Sequence, residues 1–85
     1  MTILQKFIEN NNLSFQEGQR NASIVILCGF ALYNEISIQK IHAAINDKDY
    51  TPEVQIELSR VYEYAERNIY GEYWNSEDAK TRYKF

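Results

Sequence analysis

Glu17-Gly18-Gln19-Arg20-Asn21 leads straight into the run ASIVILCGFALY, residues 22–33, and the reading of this stretch decides the fold. From Ile24 to Tyr33 nearly every residue is apolar. A water-soluble helix that is apolar all round is stable only with other elements packed about it, so the run predicts the central helix of a bundle, over about 20–33. Gly29 inside it costs about 1 kcal/mol relative to alanine and is read as marking a close helix–helix approach. The entrance has the opposite character. Gly18 forms a turn, and a guanidinium and a carboxamide stand at the mouth of a buried element.

Outward from this rod the chain reads as short helices. Ile3, Leu4, Phe7 and Ile8 recur at helical spacing behind Thr2, a possible N-cap, and predict a helix over Ile3 to Asn10. Asn10-Asn11-Asn12 ends it, because asparagine side chains compete for backbone hydrogen bonds. Leu13 and Phe15 pin the connecting segment to the core. The central helix stops at Tyr33-Asn34-Glu35, with Asn34 able to take the left-handed conformation of a helix stop. Ser37 is the expected cap of a third helix to about Asn46, with Ile38, Ile41, Ala44 and Ile45 on one side. Thr51-Pro52-Glu53 is a strong helix start. Val54, Leu58, Val61, Tyr62, Ala65 and Ile69 then trace one stripe, and the fourth helix is expected to run to about Tyr70 and close at Gly71. Glu57 with Arg60 and Glu63 with Arg67 read as exposed ion pairs. No internal repeat or long alternating pattern is evident. The expectation is all-α, one domain over 1–85, a bundle of four to five short helices.

Composition sets limits on function. Eighty-five residues suffice for one small domain, and so short a chain buries only about 60% of its unfolded surface. Three glycines and one proline favour helix. One cysteine and one histidine exclude a disulfide framework or a Cys/His zinc site within one chain. Cys28 reads as a small core residue. No signal peptide is visible and the apolar run is too short to span a bilayer, so a cytoplasmic protein is expected. The net charge of −3 argues against a protein that coats nucleic acid. Residues 47–67 hold six acids and three bases, and the end of the chain is basic, with Lys80, Arg82 and Lys84.

No nucleophile–base pair, carboxylate dyad, metal cluster or phosphate-cradling glycine loop stands out, so catalysis by this chain, or a need for a cofactor, is not expected. His42 reads as partly exposed or structural, and the acids of helix four as a solvated face. Two features remain. At a helix N-terminus, Gln19, Arg20 and Asn21 could hold a phosphate or carboxylate. Equally, Arg20 could bridge to a carboxylate of the bundle while Asn21 caps the helix. The second feature is the ring-rich end, Tyr70, Tyr73, Trp74, Tyr83 and Phe85 beside Lys80, Arg82 and Lys84. Three readings stand for it: a lid on the core, a protein-docking surface, or a platform for single-stranded bases.

The segment 17–65 resembles the helical domain found C-terminal to the catalytic part of plasmid, phage and mobile-element primases, the PriCT-1 type. The resemblance runs through Gly18-Gln19-Arg20-Asn21, the apolar helix to Tyr33, the turn at Asn34 to Ser37, the helix from Ile38 to Asn46, Pro52, and the acidic helix from Glu53. The family turn commonly carries glycine where this chain has Asn34. The resemblance implies a free-standing version of an accessory domain, bound to a primase or polymerase catalytic subunit and possibly to single-stranded DNA. A second reading is a small acidic phage-type inhibitor or adaptor that docks on a host protein through its aromatic end. A third, a helix-turn-helix reader using Ser37 to Asn46, offers only Gln39, Lys40, His42 and Asn46 as polar contacts.

Overall fold

The first helix owes its position to a reciprocal cap. In the computed structural model, which describes residues 2–67, α1 (Ile3–Asn10) starts at Thr2. The Thr2 hydroxyl accepts the Gln5 N–H at 3.2 Å, and the Gln5 side-chain carbonyl accepts the Thr2 N–H at 2.8 Å. Two N–H groups that the helix leaves unpaired are thereby satisfied. The helix turns Leu4 and Phe7 inward.

Its end is repeated, bond for bond, at the end of the next helix. Asn11 is the C-cap of α1 and its side-chain N–H donates to the Phe7 carbonyl at 3.0 Å. Asn12 follows in the left-handed region (φ 52°), and the Leu13 N–H reaches back to the Ile8 carbonyl at 3.0 Å. In α2 (Arg20–Tyr33), Asn34 is the C-cap and donates to the Phe30 carbonyl at 2.9 Å. Glu35 is left-handed (φ 56°), and the Ile36 N–H reaches the Ala31 carbonyl at 2.8 Å. Both are Schellman stops with an apolar residue just past the turn. Asn34 does not take the left-handed conformation: it has φ −94°, because its carboxamide is engaged with the Phe30 carbonyl, and the positive φ falls one residue later. The pattern Phe-x-x-x-Asn-x-Leu/Ile is common to 7–13 and 30–36.

The two phenylalanines of that pattern meet. Phe7 and Phe30 stack with centroids 3.9 Å apart and planes 8° from parallel, both fully buried. Around them lie Ile24, Leu27, Cys28 and Ala31 of α2, all without solvent exposure. Gly29 is buried as well. As its apolar run requires, α2 touches all three other helices. The connector before it is fastened by Phe15 and by Ser23, whose buried hydroxyl accepts the Ser14 N–H at 2.9 Å. Gly18, at φ +96°, sets the direction of entry.

Helix α3 (Ile38–Ala44) stops two residues before the expected Asn46, since Ile45 turns to extended backbone (ψ 133°) to bury its side chain. Ser37 sits at the cap position but its hydroxyl makes no capping bond. Helix α4 (Pro52–Arg67) begins as Thr51-Pro52-Glu53 predicts, with the Thr51 hydroxyl accepting the Val54 N–H at 3.3 Å. Val54, Leu58 and Ala65 are buried and Val61 and Tyr62 half-buried, so the stripe is as expected up to Ala65. The Tyr62 hydroxyl donates to the Ile36 carbonyl at 3.0 Å, tying α4 to the α2–α3 turn. Among the described residues the fold is all-α, four helices about a buried α2. The expected end of α4 at Tyr70 and Gly71, and the contribution of Ile69, lie outside the described residues.

Candidate functional site

The first turn of α2 lies against the middle of α4, and two arginines converge there on one carboxylate. Arg20 is half-buried, and its Nε stands 3.6 Å from Oε2 of Glu57, whose side chain is only 13% exposed. Both atoms are shut off from solvent and lack a hydrogen-bond partner among the described residues. The contact is therefore one of charge with charge, longer than the 2.7–2.9 Å or so of a charge-assisted hydrogen bond. The other oxygen of Glu57 faces Arg60 at 3.8 Å, and Arg60 is 71% exposed. The sequence reading of Glu57 and Arg60 as an exposed pair holds for the arginine alone. Glu57 points inward because Arg20 stands across from it. Glu63 and Arg67 do form a solvent-facing ion pair one turn further on.

Of the two sequence readings of Arg20, the structure supports the bridge to a bundle carboxylate. The accompanying role for Asn21 is corrected. The cap position is Gln19, which makes no capping bond, and Asn21 is exposed one residue inside the helix. The first bond of α2 runs from the Ser23 N–H to the Gln19 carbonyl at 3.1 Å. The preceding N–H groups belong to the unpaired set of a helix start, which favours negative charge nearby. Asn21 instead lines a shallow cleft of about 290 Å³ between α2 and α4, with Val25, Arg60, Val61 and Tyr64. The Tyr64 ring is 58% exposed. The cleft thus offers an exposed guanidinium, a carboxamide and a ring edge over an aliphatic floor. Arg60 and Tyr64 were not among the residues that sequence reasoning selected. Their signal was present, because positions 57, 60, 61 and 64 share one face of a helix.

A second constellation brings together three residues that the sequence scatters. Tyr50 Oη lies 2.6 Å from Nδ1 of His42, with the rings edge to face, and Nε2 of His42 lies 3.4 Å from Oγ of Ser59. A hydroxyl, an imidazole and an orienting group in this order is the layout of an activated nucleophile. Ser59, however, sits inside α4, where the backbone N–H groups are committed to the helix and do not themselves form an oxyanion hole. The cluster fastens α3 to the α3–α4 turn and to α4.

Cys28 has no such chemistry. Its Sγ is 4.0 Å from the Leu58 carbonyl, and burial pushes the thiol up to about 12, which keeps it protonated and unreactive. Among the described residues no three His, Cys, Asp or Glu side chains gather to hold a metal ion, and no helix is long and apolar enough to cross a membrane. A cavity of about 810 Å³ forms an open trough between α1, the α1–α2 connector and the α3–α4 turn. Glu9, Asp47 and Asp49 line it, and it has no basic residue. Lys80, Arg82, Lys84 and the rings Tyr70, Tyr73, Trp74, Tyr83 and Phe85 lie outside the described residues. No family model, no curated protein and no solved structure matches the chain.

Proposed function

We propose that this chain is a non-catalytic accessory subunit of a primer-synthesis or DNA-replication complex of a plasmid, phage or other mobile element. It rides on a larger primase or polymerase catalytic subunit and adds a weak contact to single-stranded DNA. One observation supports the reading above the others: Asn21 of the Gly-x-Arg-Asn sequence shares a cleft with Arg60 and Tyr64, next to Arg20. Guanidinium and ring at one groove are what a single strand requires, a cation for the phosphodiester and a face for a base. The net charge of −3 keeps that contact weak away from the partner.

The test has two arms. Fluorescence anisotropy with a labelled single-stranded oligonucleotide should show binding at low salt, with log K falling against log salt at a slope of about −0.7. That is the value for the one phosphate that Arg60 would neutralise. Arg60→Gln and Tyr64→Ala should each weaken it. A tagged full-length chain, expressed in its host, should retain a primase or polymerase subunit. No oligonucleotide binding at low salt together with no replication protein retained would overturn the proposal.

A further inference from the structure

We infer that Glu57 is a built-in counter-anion of the α2–α4 cleft, which a nucleic-acid phosphate displaces from Arg60 while Arg20 stays in place. The inference rests on the reading of that cleft as a single-strand contact and goes beyond it by assigning the residue that sets its affinity. The two arginines on this carboxylate are not equivalent. Arg20 is half-buried with its Nε closed to solvent, so it cannot turn outward without opening the packing of α2 on α4. Arg60 is 71% exposed and 3.8 Å from Oε1, too far for a strong hydrogen bond and free to swing on its long stem. It also lines the cleft, four residues before Tyr64, hence one helical turn from the ring.

The chemistry of the exchange follows. A phosphodiester offers two anionic oxygens to the planar guanidinium, a bidentate geometry that the distant single oxygen of Glu57 does not supply. As Arg60 leaves, Glu57 keeps Arg20 as its counter-charge, so no buried carboxylate is left alone. Yet the negative charge remains beside the incoming phosphate and weakens its binding. Glu57 therefore tunes the site to low intrinsic affinity, making tight engagement depend on the chain being held near DNA by a partner.

Glu57→Gln tests this directly, because the amide keeps an oxygen toward Arg20 and loses only the charge. Oligonucleotide affinity at low salt should rise by about threefold to tenfold, the range for removing one exposed ion-pair competitor and one nearby like charge. Arg60→Gln in the same background should cancel the gain. If wild-type protein binds the oligonucleotide and folded Glu57→Gln binds it no better, the inference is overturned while the single-strand reading stands. If neither binds, the reading itself falls. Should Glu57→Gln unfold, side-chain NMR of the wild-type arginines decides: oligonucleotide must shift the Arg60 Nε resonance, and a shift at Arg20 alone refutes the exchange. Preference for a polyglutamate peptide over the oligonucleotide would also overturn it, by making the cleft a carboxylate site.

Discussion

Breaking the Arg20–Glu57 contact from either side should cost more than removing it whole. At 3.6 Å and an effective dielectric of about 20, opposite unit charges attract by roughly 4–5 kcal/mol. Withdrawing two ions from water costs several kcal/mol each, so the net worth of the pair is close to zero. Arg20→Met alone leaves Glu57, 13% exposed, with only the looser Arg60 for company, and should destabilise by about 2 kcal/mol. Glu57→Leu alone leaves a guanidinium with its Nε buried but the group 29% exposed. It should cost less, about 1–2 kcal/mol. The double variant buries two apolar chains instead and should lie within about 1 kcal/mol of wild type. Urea unfolding followed by far-UV circular dichroism on all four proteins gives the coupling energy, expected at about 3–4 kcal/mol. Single-variant costs that simply add, or a coupling under about 0.5 kcal/mol, would refute the picture of a shielded, mutually dependent pair. Arg20 would then have to be explained by what it binds rather than by what it holds.

The Phe7–Phe30 stack predicts that Phe7→Ala costs about 3–5 kcal/mol, and that Phe7→Leu and Phe30→Leu show a coupling of about 0.5–1.5 kcal/mol in a thermal-melt cycle. Cys28, raised from 9.0 to about 12, ionises in the unfolded chain before the folded one. Its contribution is therefore complete below pH 9.0 and is lost as pH climbs toward about 12. Tyr62 acts in the same direction, raised by burial first and then by the Glu66 and Cys28 charges. Urea midpoints should fall across that alkaline range, and Cys28→Ala should flatten the fall. Glu35→Gly relieves a left-handed φ of 56° and should raise stability by about 0.5 kcal/mol. Gly18→Ala, at φ +96° with nothing within 4 Å of the added methyl, should lower it by about 1 kcal/mol through backbone strain alone.

The helices and the centrality of α2 were legible because they rest on local chemistry. A threonine N-cap, a Thr-Pro-Glu start and an apolar run need no knowledge of what lies across the fold. The helix stops were half legible. Asparagines mark both, but which residue turns left-handed depends on what the carboxamide grips, and Phe30 decides that for Asn34. The site was legible only in part. Arg20 and Asn21 stood out as polar residues at an apolar gate, whereas Glu57, Arg60 and Tyr64 acquire meaning only when α4 is laid against them. The same holds for His42, Tyr50 and Ser59, which are joined by the turn between α3 and α4. No periodicity within one helix announces such a meeting.

The single thiol of this chain, Cys28, sits where α2 and α4 meet, walled in by Leu58 and without a trace of solvent contact. A maleimide can reach it only when the interior comes apart, so the pace of labelling keeps time for the whole bundle. Mass spectrometry would see one adduct per opened molecule, with no engineered probe to disturb the fold. Any partner that clamps α4 onto α2 will slow that internal clock, and the slowing measures how firmly it holds.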